Sequence, residues 1–272
     1  MRGVIGTVFA MRYSVRSRGT KHPQPPLIIA LLSDIHGNAE ALDACLTHAG
    51  ESRADRYAFL GDFVGYGADP QQVVDIVARY SAAGAIVVRG NHDEAVTRTP
   101  RYMNDSLRAV IKWTRETLSE DGKAFLASLP LCIRENEMCF VHASAASPER
   151  WDYIDSPGAA RRSIDAADAA YTFCGHVHDQ TLYFLGARGK PSVFRPVPGR
   201  AIPVGRHRRW LALVGSVGQP RDSNPAAAYA QFDTVLERIT FHRVPYDHLA
   251  AAEKIRAAGL PLSIAYRVEK GI

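Results

Sequence analysis

The sequence predicts an α/β protein in which a parallel or mixed sheet is followed by a second, mostly antiparallel one. Three observations predict it. Apolar runs in the first ninety or so residues each end in a short polar motif, as buried central strands do. The polar positions Asp34, Asp62 and Asn91 recur at intervals of 28 and 29 residues, the length of one strand-helix repeat. Beyond His178 the runs alternate apolar and polar residues, the mark of antiparallel strands.

Taken in order, Leu27 to Leu32 is an unbroken apolar run and reads as the first strand. Ala39 to Ala49, rich in alanine and leucine at helical spacing, reads as a helix stopped by Gly50. Arg56 to Leu60 is the second strand, Pro70 opens a helix to about Tyr80, and Ala85 to Val88 is the third strand. Asp105 to Leu118 and Gly122 to Leu129 are expected helices, and Met138 to Val141 and Tyr171 to Cys174 are strands that deliver His142 and His176. Thr181 to Leu185, Trp210 to Val214, Ala227 to Phe232 and Val235 to Val244 supply the second sheet. A helix from Tyr246 to Ala258, stopped by Gly259 and Pro261, is expected to close the chain. Residues 27–272 are expected to form one domain.

The chain has 33 Lys and Arg against 28 Asp and Glu, a formal charge of +5. Arg2, Arg12, Arg16, Arg18 and Lys21 lie in residues 1–26, which hold no acid, so the remaining 27–272 are balanced. The excess therefore belongs to a flexible basic tail and gives no argument for nucleic-acid binding. That tail lacks the apolar core of a secretory signal, and no apolar run approaches the ~20 residues of a membrane span. Cys45, Cys132, Cys139 and Cys174 show no Cys-x-x-Cys spacing and read as small core residues, neither a zinc site nor a redox pair. Few cysteines and no signal predict a cytoplasmic protein.

One stretch departs from the balance. Gly186 to Arg209 carries Arg188, Lys190, Arg195, Arg200, Arg206, Arg208 and Arg209 without an acid. It reads either as a solvated hairpin or as an overhang of the site which, with Tyr66, Phe194 and Trp210 as stacking surfaces, would grip a polyanionic nucleotide.

The chemistry lies in five ordered motifs: Ser33-Asp34-Ile35-His36-Gly37-Asn38, Gly61-Asp62, Gly90-Asn91-His92-Asp93, Val141-His142-Ala143-Ser144 and Gly175-His176-Val177-His178. Each is weak alone, but five in this order, each after an apolar run, point to a catalytic metal centre. Two divalent ions ~3.5–4 Å apart hold a bridging hydroxide and clamp both oxygens of an in-line displacement at phosphorus. Asp34 and His36 supply one ion from a single loop, Asp62 is placed to bridge, and Asn91, His142, His176 and His178 complete the two spheres. With neutral histidines the loaded centre carries about +1 and attracts phosphate. His48, His207, His242 and His248 have no such neighbours and read as surface or capping residues.

At these motifs the chain resembles the calcineurin-like metallophosphoesterases, from about Leu27 to the end of the sheet region. The resemblance implies a four-layer α/β/β/α sandwich. It implies Asp34, His36, Asp62 and His178 as ligands of one ion, Asp62, Asn91, His142 and His176 as ligands of the other, and His92 as general acid for the leaving oxygen. The Ser/Thr protein phosphatase branch has Gly-Asp-x-Val-Asp-Arg-Gly where this chain reads Gly61-Asp62-Phe63-Val64-Gly65-Tyr66-Gly67, so an aspartate and an arginine are missing. That departure, and Asp93 in place of glutamate, favour the small bacterial phosphodiesterases and dinucleoside polyphosphate hydrolases. Asp69 and Asp93 are the candidates for orienting His92. Gly215 to Asp222 reads as a structural turn or as a substrate loop, with Arg221 either a phosphate grip or a solvated surface residue.

The expected activity is hydrolysis of a phosphodiester or phosphoanhydride in a small, nucleotide-like substrate, with catalysis by Asp62 and His92 and substrate contacts from Asn91, Tyr66 and Arg221. Manganese is the expected metal, and iron, nickel, cobalt and zinc accept the same donors. The alternatives are a protein phosphatase or nuclease on the same centre, and a binding scaffold without catalysis. Presence of His92 argues against the scaffold. Neither a Gly-x-Ser-x-Gly elbow nor a phosphate-binding Gly-x-x-x-x-Gly-Lys loop occurs.

Overall fold

The computed structural model describes residues 27–98, 105–186 and 189–272; the basic segment 1–26 and Arg188 lie outside them. Three strand-helix repeats come first: β1 (Ile28–Leu32) and α1 (Ala39–Glu51), β2 (Arg56–Phe59) and α2 (Pro70–Ala82), β3 (Ile86–Val87) and α3 (Asn91–Thr97). There follow α4 (Asp105–Thr117), α5 (Glu120–Ser128), β4 (Cys132–Glu135), β5 (Met138–Val141), α6 (Pro157–Ala167) and β6 (Tyr171–Cys174). The remainder is β7 (Gln180–Leu185), β8 (Pro191–Phe194), β9 (Ala201–Pro203), β10 (Arg209–Val214), β11 (Ala227–Asp233), β12 (Arg238–Val244), α7 (His248–Ala257) and α8 (Leu262–Lys270).

These strands form two six-stranded sheets, ordered β3-β2-β1-β11-β12-β9 and β4-β5-β6-β10-β7-β8. β1, β2 and β3 are parallel, as are β5, β6 and β10, while β7, β11 and β12 pair antiparallel. Both sheets are thus mixed: the second opens with β4 antiparallel to β5, and β11 and β12, expected in the second sheet, belong to the first. Side-chain alternation sets the layers. Ile29 and Leu31 of β1 face the second sheet and pack with Phe140, Phe173, Phe232 and Phe241, whereas Ala30 and Leu32 face α1 and α2 through Leu42, Val73 and Val77. On the far side Ala160 and Ile164 of α6 cover Val141, Leu211 and Leu213. Helices therefore lie outside both sheets, the expected α/β/β/α order, and each fully buried Phe or Leu contributes about 1.5–3 kcal/mol.

Local signals start the helices where expected. The Asn38 side chain accepts the Ala41 amide at 3.1 Å to cap α1, and Pro70 begins α2. The predicted last helix ends as expected, before Gly259, but it does not close the chain. It stops at Ala257, the chain turns through Gly259, and α8 follows Pro261 to pack Ile264, Ala265 and Val268 on α7 and on Val110 of α4. Val235 to Glu237 form the turn before β12 and not part of the strand. Among the described residues no helix is long and apolar enough to cross a membrane.

The basic stretch does not overhang the site as one body. It passes from β8 at the edge of one sheet to β9 at the edge of the other. Arg206 pairs with Glu237, Arg209 with Asp165, and Arg208 lies over Phe184, all toward the ends of the sheets remote from the metal motifs. Trp210 is buried there, its indole donating to the Gly205 carbonyl, and is no stacking surface; Phe194 is exposed on the outermost strand opposite Leu182, and the adjacent Arg195 pairs with Asp179 beside His178.

Candidate metal centre

The carboxyl ends of β1, β2, β3, β5 and β6 open toward one edge, and the loops leaving them are stitched together by backbone. Asp34 and His36 amides donate to Gly61 and Asp62 carbonyls at 3.0 and 2.9 Å, and the Gly175 amide donates to the His142 carbonyl at 2.9 Å. The Gly215 to Asp222 segment joins them as a structural turn: Val217 and Gly218 amides donate to Ser33 and Asp34 carbonyls at 2.9 Å, and Ser216 Oγ donates to the Asp34 carbonyl at 2.8 Å. Two glycines admit the close approach. A Cβ on Gly90 would overlap the Asp62 carboxylate, and one on Gly175 would overlap Ser33 and Asp34.

All seven predicted ligands meet here. Asp34, His36 and His178 form one group that could hold a cation, and Asp62, His142 and His176 another, with every member buried. Asn91 joins the second, its Oδ1 3.1 Å from His142 Nε2. His92 lies with His36 and Asp62 in a further overlapping group. Asp62 Oδ2 stands between the two, 3.8 Å from His36 Nε2 and 3.4 Å from His142 Nε2.

The donor set fits metal ions on three grounds. Nδ1 of His36, His142 and His178 donates to the carbonyls of Val64, Leu60 and Gln219 at 3.2, 2.7 and 2.6 Å, so in the neutral rings each Nε2 presents a lone pair. His36 Nε2 and His178 Nε2 then face each other at 3.2 Å with no proton between them. Asp34 Oδ1 is buried without a hydrogen-bond partner, although His178 Nε2 lies 3.3 Å away. Finally, donors ~2.1 Å from one ion and 90–109° apart stand roughly 3.0–3.4 Å from each other. Most of the separations above fall in that range.

Protonation favours ligation at Asp34, Asp62, His36 and His176 and opposes it at His142. Burial alone would raise the Asp34 and Asp62 carboxyls, but the surrounding imidazoles, His178 for Asp34 and His142 for Asp62, hold both well below the usual range. Burial pushes His36 and His92 down and His176 down to about 4, keeping them neutral. Burial opposes charge on His142 too, yet the Asp62 carboxylate outweighs it and pushes that imidazole up to about 9.

Backbone strain gathers at the same residues. Asp34, His36, Asp62, His176 and His178 have φ of 53°, 52°, 56°, 65° and 70°, left-handed values that cost non-glycine residues about 1–3 kcal/mol each. Aspartate and histidine are among the few non-glycine types that enter this region readily.

The predicted neighbours fall out unevenly. Tyr66 sits against His36 and His92, ring centroids 4.7 Å from each. Arg221 is part-buried beside the turn, bonded to Gln219 Oε1 at 3.1 Å with its Nε unpartnered. Neither candidate orients His92. Asp69 pairs with Lys254 at 2.9 Å, and Asp93 spends its carboxylate on backbone amides. The ring of His92 is instead held by packing on Tyr66, His36 and Gly65, its Nδ1 buried without a partner. Sequence reasoning also missed Tyr153 and Trp151, whose rings lie on His176 and His142. One further reading is corrected: His48 and His242 form a part-buried cluster with Tyr229, not surface residues. The four cysteines are free, and Cys132 Sγ lies 3.5 Å from Cys139 Sγ.

Comparison with known proteins agrees with this geometry. The chain is 34% identical to a metallophosphoesterase from Sphaerobacter thermophilus, with a TM-score of 0.82 over 91% of this chain and 100% of that one. It is 33% identical to an uncharacterised protein of Methanocaldococcus jannaschii over 90% of this chain and 98% of the relative. A hypothetical protein of Pyrococcus horikoshii OT3 shares the fold at 19% identity, with a TM-score of 0.72 over 90% and 99% of the two chains. Residues 27–235, which carry all five motifs, match the calcineurin-like phosphoesterase superfamily domain. With its buried carboxylate and imidazole donors at the strand ends, the chain belongs to the calcineurin-like phosphoesterase superfamily and is a hydrolase of that family.

Proposed function

We propose that this hydrolase uses a pair of divalent ions, manganese in the first place, to cleave a phosphodiester or phosphoanhydride bond in a small nucleotide-like substrate in the cytoplasm. The position of Asp62 Oδ2 between the two donor groups, 3.8 and 3.4 Å from His36 and His142 Nε2, is the observation that supports a dinuclear centre. In this reading Asp34, His36, Asp62 and His178 hold one ion and Asp62, Asn91, His142 and His176 the other. When bound, the ions supply positive charge at the phosphoryl oxygens and acidify solvent.

The chain's residues do the rest. Asp62 fixes the spacing of the two groups, and the Asn91 side chain contacts both its ion and a phosphoryl oxygen. His92, with Nδ1 sealed in packing, is neutral in the free protein; charged as the anionic substrate arrives, it would pass the Nε2 proton to the leaving oxygen. Tyr66 shields the His36 and His92 rings from solvent, and Arg221, with an unpartnered Nε, offers a forked donor to phosphate. Residues 27–272 act as one domain in this reading.

The experiment is turnover of bis-p-nitrophenyl phosphate, dinucleoside polyphosphates and phosphoserine peptides with manganese and other divalent ions. Diester or anhydride cleavage is expected to be abolished by Asp62→Asn and reduced at least 100-fold by His92→Ala. A preference for phosphoserine peptides would replace the nucleotide reading, and inactivity on the whole panel would refute catalysis at this centre.

A further inference from the structure

Three of the four imidazoles that belong to the two donor groups are held in the same way. His36, His142 and His178 each donate Nδ1–H to a backbone carbonyl, which fixes both tautomer and ring rotation. His176 is turned the other way. Its Nδ1 faces His142 Nε2 at 3.1 Å, and its Nε2 is buried with no hydrogen-bond partner. No carbonyl clamps this ring.

The aromatic face of Tyr153 lies against it instead, with centroids 4.1 Å apart and planes inclined by 27°. Tyr153 is 54% exposed, so its own burial does not explain its place. The loop between β5 and α6 is pinned on both sides of it. Trp151 donates its indole N–H to Glu94 Oε2 of α3 at 3.1 Å and takes the left-handed φ of 57°, and Ile154 is buried against α6. The tyrosine is thus presented to His176 by a fixed frame.

We propose that Tyr153 is a positioning residue for His176: ring stacking, in place of a hydrogen bond, sets the rotation that aims Nδ1 at the Asp62, Asn91 and His142 group. The proposal rests on the dinuclear reading above. It makes one of the two cation sites selectively dependent on an exposed aromatic ring. Stacking needs the ring and not the hydroxyl, so phenylalanine should serve as well.

The test is calorimetric titration of the metal-free full-length chain with manganese, with ions per chain counted after gel filtration. The wild type is expected to bind two ions. Tyr153→Ala is expected to weaken one of the two by about 10- to 100-fold, the loss seen for other groups that orient a metal-ligating histidine, and to leave the other unchanged. His176→Ala should remove the same ion, and Tyr153→Phe should restore wild-type binding. Two ions of unchanged affinity in Tyr153→Ala would overturn the proposal alone. Equal weakening of both ions with a lower melting temperature of the metal-free chain would also overturn it, since that marks collapse of the loop. A wild-type count below two would overturn the dinuclear reading, and the two-site form of the proposal with it.

Discussion

Asp93 Oδ2 accepts the backbone amide of Asp62 at 2.8 Å, although the two residues lie 31 positions apart and belong to successive strand-helix repeats. The same oxygen takes the Gly90 amide at 2.8 Å, and Oδ1 takes those of Phe63 and Val64 at 2.9 and 3.4 Å. Burial and the Asp62 carboxylate push the Asp93 carboxyl up, and the amide of Gly90 leads those that pull it down. One side chain thus ties the loop after β2 to the loop after β3. Asp93→Asn keeps the shape but offers one acceptor oxygen, leaving two buried amides unpaired at about 1–3 kcal/mol each. Denaturant unfolding is expected to show a loss of about 2–6 kcal/mol, and metal-dependent turnover is expected to fall with it.

Metal loading should consume hydroxide. With its pKa pushed up to about 9 by Asp62, His142 of the metal-free chain keeps a proton at neutral pH that an incoming ion must displace. The raised value means the proton is held below about pH 9 and given up above it. Apparent affinity for manganese is therefore expected to rise with pH through the neutral range and level off near 9, with about one proton released per chain. Calorimetry in buffers of different ionisation enthalpy measures that proton, and a pH-independent affinity would contradict the argument.

The cluster of His48, Tyr229 and His242 predicts an acid-sensitive element. His242 is pushed down to about 4, first by burial and then by His48, and its ring stacks on Tyr229 at 4.9 Å. Because the folded value is depressed, the stability it contributes is present above the ordinary 6.5 and is lost as pH falls from there toward 4. Melting temperatures recorded across that window should drop more steeply for the wild type than for His242→Phe.

Cys132 is expected to be the most reactive of the four thiols. Its Sγ lies 3.5 Å from Cys139 Sγ, and the hydrogen bond from that thiol pulls Cys132 down to about 7, whereas burial pushes Cys45 and Cys174 up. Iodoacetamide followed by peptide mass mapping should label Cys132 first, with a rate that rises through about pH 7. Faster labelling of Cys45 or Cys174 would contradict the assignment.

The metal motifs were readable because their chemistry admits few residue types, and because β1, β2 and β3 repeat at regular intervals. Even His142, carried by a motif of only Val-His-Ala-Ser, arrives at the centre of the second group. What stayed hidden depends on neighbours far along the chain. Helix α8 spans only nine residues after a proline, and its apolar face has meaning only against α7 and Val110. Asp93 reads as a motif aspartate, yet its partners are amides contributed by a different loop. Trp210 looked like a stacking surface because sequence distance from His178 says nothing about which end of β10 it occupies. The proximity of Cys132 and Cys139 follows from β4 pairing with β5, and β4 was not expected at all.

Each donor group draws on both sheets. Asp34, His36, Asp62 and Asn91 follow strands of the first, whereas His142, His176 and His178 follow strands of the second. A cation seated in either group would therefore rivet the two halves of the sandwich across their shared seam. Withdrawing it with a chelator should let that seam breathe before any strand frays, and amide exchange would report the event first in the loops after β1 and β6, at the Asp34, His36 and Gly175 amides that cross between loops.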